Sequence, residues 1–228
     1  MARHVAAAQA RTLAAAGYTV LLPDLSGCGD ASGDFSEASW QQWLEDAGFA
    51  ADFLKELGDG ELIVWGLRMG CLLGAALAAE RSDIARLLFW QPVLNGEQQV
   101  DQFLRIAVAA SALAGQGGFD RAGLWKSLRD GEALAVAGYV LSPSLALPLG
   151  RERLANRAPA CPVDWLEISA VGDALSPAAS RVVENWRSAG STVRAERYSS
   201  APFWRATDNA AEVDPGLLER TLAILEAG

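Results

Sequence analysis

Histidine and cysteine are scarce in this sequence of 228 residues, and their scarcity excludes several kinds of chemistry. The chain has one histidine, His4, and three isolated cysteines, Cys28, Cys71 and Cys161, with no C-x-x-C pair. Because zinc sites are built from clusters of these two residue types, we expect no metal site. Isolated thiols in odd number are typical of a reducing compartment, so we expect a cytoplasmic protein.

The sequence also lacks a cluster of basic residues and an uninterrupted apolar run of membrane length. Its net charge is -9 at pH 7, which argues against a nucleic-acid partner. Residues 62–79 carry a single charge, that of Arg68, and approach the length of a membrane span. Gly66, Gly70 and Gly74 interrupt this run, and its first part is β-rich. A strand followed by a buried helix is therefore expected, and no membrane span.

Hydrophobic residues make up 51% of the chain, enough for one large core. Short apolar segments predict strands, and Ala-rich or amphipathic segments between them predict helices. The predicted strands are residues 18–22, 61–65, 84–93, 163–169 and 192–198. This alternation predicts an α/β fold with a doubly wound, mostly parallel sheet. In such sheets, functional residues gather at the carboxyl ends of the strands.

The segment from 95 to 158 does not continue the alternation of predicted strands and helices. Residues 100–113 predict a helix, the glycines at 115–118 predict a loop, and residues 124–141 predict short helix and turn. We interpret residues 95–158 as a helical cap inserted over one end of the sheet. Residues 1–94 and 159–228 would then form the core of the fold.

Three motifs occur in an order that resembles the α/β-hydrolase family. They are the loop with Asp24, Gly27 and Gly29, the turn Gly66-Leu67-Arg68-Met69-Gly70, and Asp173 four residues before Pro177. The turn has the spacing of a G-x-S-x-G nucleophile elbow with Arg68 at the Ser position. Such proteins usually begin with further strands, and those strands are expected to be absent here.

Two further segments resemble those of one group within this family, hydrolase 2 of the exosortase A system. These segments are Phe89-Trp90-Gln91-Pro92-Val93 and Ala201-Pro202-Phe203-Trp204. The resemblance implies a bacterial exopolysaccharide and protein-sorting context. The name of the group implies hydrolysis.

The resemblance also implies which residues should form a catalytic triad. It places a nucleophile at Arg68, an acid at Asp173 and a histidine at Phe203. Arginine has no lone pair with which to attack, and phenylalanine cannot accept a proton. Losing a triad costs a factor on the order of 10⁶ in kcat, so we do not expect Ser-His-Asp hydrolysis.

Arg68 allows two interpretations. As a cation at the start of a helix, it suits an anionic ligand such as a carboxylate or phosphate. Alternatively it pairs with Asp173 and fills the space of the missing imidazole, the interpretation that we favour. Other candidates for the wall of a pocket, and so for contact with a ligand, are Met69, Trp90, Trp204 and Cys28. We expect Cys28 and Cys71 to be structural.

Two functions from different classes remain open. The first is a pseudo-hydrolase that uses no cofactor and binds a small molecule or a protein partner. The second is an active ester or thioester hydrolase with an unrecognised nucleophile. A flavodoxin-like binding domain is disfavoured, because the first predicted strand is not followed by a phosphate-binding glycine loop. The sequence does not predict the oligomeric state.

Overall fold

Four parallel strands form the sheet around which the chain folds, in a computed structural model that describes residues 2–113, 120–205 and 213–227. The strands lie in the order β1–β2–β5–β6, and a separate antiparallel hairpin joins β3 and β4. Their bounds are β1 Leu62–Leu67, β2 Ile84–Trp90, β3 Leu134–Val136, β4 Tyr139–Leu141, β5 Val163–Ile168 and β6 Val193–Tyr198. The predicted α/β fold with a mostly parallel sheet is confirmed.

Eight α-helices surround these strands within the described ranges. They are α1 Ala2–Ala15, α2 Trp40–Glu56, α3 Gly70–Glu80, α4 Gly96–Leu113, α5 Arg121–Arg129, α6 Pro143–Leu149, α7 Pro177–Ser188 and α8 Pro215–Glu226. Local capping signals set several of their starts. The Ser39 hydroxyl accepts a hydrogen bond from the backbone N–H of Gln42 at 3.1 Å, and Pro215 follows the N-cap residue Asp214.

The sheet separates two layers of apolar side chains. The larger cluster combines side chains of α2, α3 and α7 with residues such as Phe89 and Trp165. The smaller one combines α1 and α8 with Trp90 and Leu166 on the opposite face. Every residue of β5 is buried, as expected for an inner parallel strand covered on both sides.

The predicted strand at residues 18–22 is wrong. The structure assigns no strand there, and among the described residues only the N–H of Tyr18 makes a backbone hydrogen bond, to Leu13 in α1. A strand requires a neighbouring backbone at hydrogen-bonding distance. At the start of this segment, a groove lined by Tyr18 and Thr19 on one side and by Leu62 and Ile63 on the other takes the place of such a neighbour.

The region from 95 to 158 contains α4, α5, α6 and the β3–β4 hairpin. The sequence did not predict the hairpin, whose turn residues Ala137 and Gly138 have φ angles of 49° and 86°. Ala-Gly lacks the Asn-Gly or Asp-Gly signal that usually marks such turns. Leu145 and Leu149 of α6 belong to the larger core cluster, and the division into core and cap stays a prediction.

The glycine loop predicted at 115–118 lies outside the described residues. Within the described ranges, none of the helices combines the length and the apolar character that crossing a bilayer requires.

Candidate functional site

Arg68 lies on the sharp turn between β1 and α3, with a φ of 57°. Three backbone hydrogen bonds fix the turn: its N–H donates to Trp90 at 2.9 Å, and its carbonyl accepts from Cys71 at 3.1 Å and Val93 at 3.2 Å. A non-glycine residue in this region of φ is strained and persists only where its surroundings determine it. The turn therefore has the backbone of an elbow, with Arg68 at its apex.

Glycine at position 66 allows the strand and the helix to approach closely at this turn. A Cβ atom added to Gly66 would lie 2.8 Å from the backbone of Gly70 and Cys71. By contrast, a Cβ atom on Gly70 would have no atom within 4 Å apart from those of the adjacent residues and the backbone of α3 itself. Only the first of the two motif glycines is required by packing.

The guanidinium of Arg68 lies over an aromatic ring beside a cavity. Its Cζ is 5.2 Å from the ring centroid of Trp204, within the range of a cation–π contact. The cavity has a volume of about 550 Å³, and we call it the elbow cavity. Its lining residues are Arg68, Gln99, Gln102, Arg105 and Trp204.

Helix α4 supplies three of these five residues, and the sequence analysis did not predict them. Gln99, Gln102 and Arg105 follow one another at intervals of three, so they lie along one face of the helix. That spacing was a visible signal in the sequence. What it could not indicate was that this face of α4 would meet the elbow.

The described lining of the elbow cavity is positively charged, although the whole chain carries a net charge of -9. Arg68 and Arg105 each offer a planar array of N–H donors, which suits carboxylate and phosphate oxygens. The side-chain amides of Gln99 and Gln102 add donors that need no counter-charge. Chemically, this arrangement can hold an anion, and Trp204 adds an apolar surface beside it.

The ion pair predicted between Arg68 and Asp173 does not form. Asp173 is exposed, and within the described residues no ion pair of 4.0 Å or less involves its carboxylate. The loop that carries Asp173 is held instead by Glu167, a buried residue of β5. Both Glu167 carboxylate oxygens accept from the backbone N–H of Ser176 at 3.1 Å, just before α7. This carboxylate therefore caps the loop that leads into α7.

Phe203 is buried in the smaller core cluster. Its ring packs edge-on against Trp90, with centroids 6.4 Å apart, and against Trp204 at 5.0 Å. Trp90 was expected to form a wall of the pocket, and the structure corrects this: its side chain is 0% exposed. It ends an inner strand and packs against Trp65 at 4.8 Å, so it supports the site from within the core.

Met69 and Cys28 are partly buried against the larger core cluster and are not among the residues that line the elbow cavity. Burial, together with the carboxylates of Asp24 and Asp46, raises the pKa of the Cys28 thiol. Cys71 is fully buried, and burial raises its thiol pKa well above the usual range. Because the thiolate is the nucleophilic form, neither cysteine is activated for attack.

Gln91 is a structural residue of this edge that the sequence analysis did not identify. Its φ is 44°, and its side-chain oxygen accepts a hydrogen bond from the backbone N–H of Ile168 at 2.6 Å. The Gln91 side chain thus continues the pairing of β2 with β5 beyond the last backbone hydrogen bond. This accounts for glutamine in the segment Phe89-Trp90-Gln91-Pro92.

The fold is that of an α/β hydrolase, and solved structures share it. A structure from work on LipS and LipT, two metagenome-derived lipolytic enzymes, is 18% identical, with a TM-score of 0.62 over 98% of this chain and 88% of that chain. Est1E from Butyrivibrio proteoclasticus, solved with ferulic acid, is 17% identical, with a TM-score of 0.64 over 98% of this chain and 82% of that chain. At these identities the likeness concerns the fold alone.

The family can be stated more narrowly. The family model described as serine aminopeptidase, S33, matches residues 2–117, just over half of the chain. The chain belongs to this family of α/β hydrolases. No protein of curated function matches it.

Proposed function

We propose that the chain is a non-hydrolytic α/β hydrolase that binds a small organic anion in the elbow cavity. The observation that carries the proposal is the position of Arg68. It occupies the apex of the elbow and shares the cavity with Arg105 and two glutamine amides. A cation at the apex gives the cavity affinity for an anion and removes the usual nucleophile at the same time.

The proposal includes a degenerate triad at Arg68, Asp173 and Phe203. Phe203 is in the core and cannot shuttle a proton, and Asp173 is exposed. The one histidine of the chain, His4, is exposed on α1. Without an imidazole beside the elbow, even a serine at position 68 would lack its general base.

We place this function in the cytoplasm, in a bacterial exopolysaccharide and exosortase A context. The motifs around Trp90 and Phe203 support the exosortase A context, because they resemble those of that group. The isolated thiols support the cytoplasm. In that context the occupant of the cavity would be a small anionic metabolite, or an anionic group on a protein partner. No cofactor is required for binding of this kind.

Hydrolysis is tested with p-nitrophenyl acetate and an acetyl thioester, using the wild type, Arg68→Ser and Arg68→Ala. We expect all three to match the rate without protein. The competing function is that of an ester or thioester hydrolase, and the likeness to lipolytic enzymes and to Est1E is what favours it. Wild-type turnover that a substitution in the elbow cavity abolishes would establish it and overturn our proposal.

Binding is tested by calorimetry with phenyl phosphate and benzoate as probes, and with benzyl alcohol as the neutral match. We expect both anions to bind more tightly than the alcohol. Arg105→Gln should weaken the anions by about 10- to 100-fold, since a hydrogen bond to a charged group contributes roughly 1.5–3 kcal/mol. Arg181→Gln, at an exposed position on α7, is the control and should bind as the wild type does. Equal affinity for anion and alcohol would contradict the proposal.

A further inference from the structure

A second cavity lies between α4, α5 and the end of α6, and it shares no described lining residue with the elbow cavity. Its volume is about 660 Å³, which is within the range of small-molecule sites. Glu97 lines it from the first turn of α4, and Gly150 and Arg151 line it just after α6. Helix α5 provides the largest share of the lining, so we call this cavity the α5 pocket.

The α5 wall of the pocket is an aromatic ring with a guanidinium on either side. Arg121, Trp125 and Arg129 follow one another at intervals of four, so they lie on one face of α5, about 6 Å apart along its axis. Trp125 is partly buried against the larger core cluster, and the rest of its ring lines the pocket. The wall therefore offers an apolar aromatic surface between two cations.

One buried carboxylate fixes both the ring and one of these cations. Asp101 of α4 is 8% exposed. One of its oxygens accepts hydrogen bonds from Nε1 of Trp125 and from Nε of Arg121, each at 2.7 Å. The far edge of the ring lies against the backbone, since a Cβ atom added to Gly150 would lie 2.8 Å from Cη2 of Trp125. The ring is thus held in place before a ligand arrives, which lowers the cost of binding.

The other charges of the pocket are unequally neutralised. Glu97 is the one acidic residue in the described lining, and its carboxylate pairs with Arg121 at 2.9 Å and with Arg153 at 2.8 Å. Arg129 and Arg151 are exposed. In the part of the chain that the structure describes, neither of these two forms an ion pair of 4.0 Å or less.

The pocket therefore has an excess of positive charge. Four guanidiniums and two carboxylates line it or hold its walls: Arg121, Arg129, Arg151, Arg153, Glu97 and Asp101. The difference is two positive charges, although the whole chain carries a net charge of -9. A phosphate monoester carries about -1.5 to -2 at neutral pH, and its oxygens fit the planar donor array of a guanidinium. One phosphate group thus matches the excess.

We propose that the α5 pocket binds a small phosphate ester that carries a flat aromatic or heteroaromatic ring. The ring stacks on Trp125, and the phosphate pairs with Arg129 and Arg151. An inorganic anion leaves the surface of Trp125 uncovered, and an uncharged ring leaves the two guanidiniums without a counter-charge. The proposal does not rest on the function of the elbow cavity, because the two cavities have different lining residues.

AMP is the probe for this site, because adenosine and inorganic phosphate supply its ring and its charge separately. Binding is followed through the indole N–H signals of the 15N-labelled full chain, with Trp125 and Trp204 assigned by Trp125→Phe and Trp204→Phe. The Trp125 signal reports on the α5 pocket, and the Trp204 signal reports on the elbow cavity. We expect AMP to shift the Trp125 signal in a saturable manner. Adenosine and phosphate should each bind at least about tenfold more weakly, since each makes only part of the contacts.

A pair of double variants tests the charges. Arg129→Gln with Arg151→Gln should weaken AMP at the Trp125 signal by about tenfold or more, because a hydrogen bond to a charged group is lost at each position. Arg11→Gln with Arg181→Gln removes the same charge at exposed positions on α1 and α7 and should bind AMP as the wild type does. Unchanged positions of the other indole signals show that both variants fold.

Three results would overturn the proposal: no saturable shift of the Trp125 signal, AMP that binds no more tightly than adenosine or phosphate alone, or equal affinity of the two double variants. A shift of the Trp204 signal without one of Trp125 would place AMP in the elbow cavity. That result would exclude a site in the α5 pocket and leave the function proposed for the elbow cavity intact.

Discussion

The two glycines of the elbow motif should respond in opposite ways to alanine. A methyl group at Gly66 would lie 2.8 Å from three backbone atoms of Gly70 and Cys71, whereas carbon atoms in contact normally lie about 3.5–4.0 Å apart. Backbone atoms cannot rotate away as a flexible side chain can. The first turn of α3 must therefore move away from β1, and α3 is one of the most buried helices of the chain.

The magnitude follows from overpacking in a rigid site. Such changes typically cost about 1–3 kcal/mol, and a backbone obstacle places Gly66→Ala at the upper end of that range. Alanine also leaves the unfolded chain less conformational freedom than glycine does, which stabilises the folded state by roughly 0.4–1 kcal/mol. We therefore expect the free energy of unfolding to fall by about 2 kcal/mol in total. In a domain of this size, that loss lowers Tm by roughly 4–8 °C.

Gly70→Ala is the matched control, because its added methyl group meets no atom within 4 Å beyond the adjacent residues and the backbone of α3, the helix that Gly70 starts. We expect its stability to be unchanged or to rise by up to about 1 kcal/mol. Urea unfolding followed by tryptophan fluorescence measures both variants, with m-values to check that the transition is unchanged in kind. Equal losses at the two positions, or a loss below about 0.5 kcal/mol for Gly66→Ala, would falsify the steric argument.

Two further predictions concern Gln91 and the cysteines. Gln91→Ala leaves the buried N–H of Ile168 without its acceptor, so we expect a loss of about 1–3 kcal/mol in urea unfolding. Gln91→Glu keeps an acceptor for this N–H and should lose less stability than Gln91→Ala. A larger loss of stability for Gln91→Glu would contradict the role of Gln91 as an acceptor. In the native protein at pH 8, a thiol reagent read by mass spectrometry should modify Cys28 and Cys161 before Cys71, which is fully buried. Early modification of Cys71 would show that its thiol is reachable in the folded state.

Local signals in the sequence were sufficient for most of the fold. Short apolar segments separated by helical patterns located β1, β2, β5 and β6, and the two inner strands, β2 and β5, gave the clearest signal because both of their faces are covered. Capping residues located helix starts, as Ser39 did for α2. These signals act over a few residues and do not depend on the rest of the chain.

Two of the failures depended on distant parts of the chain. Residues 18–22 have the composition of a strand, but composition cannot show whether a partner backbone lies beside them. Trp90 was placed on the wall of the pocket because it ends a strand, and it is buried because Phe203 and Trp65 pack against it. Contacts of this kind become visible only when the elements are assembled.

The candidate site was only partly predicted, because some of its residues come together only in the assembled fold. Arg68 and Trp204 were identified from motifs, and the structure brings them together at 5.2 Å. Gln99, Gln102 and Arg105 were missed because they belong to a helix about thirty residues further along the chain. Their contribution to the cavity depends on how α4 lies over the elbow, which no local pattern encodes.

The backbone at the elbow gives an independent reason to look for a function in the Arg68 side chain. At a φ of 57°, a non-glycine residue costs roughly 1–2 kcal/mol that glycine would not. A turn kept only for packing would therefore gain stability from glycine at this position. The chain instead has an arginine there, whose guanidinium lies over Trp204 and lines the same cavity as Arg105. Two guanidinium groups that line one cavity are an arrangement that can bind an anion. The strain at Arg68 and the charge of the elbow cavity thus favour the same function.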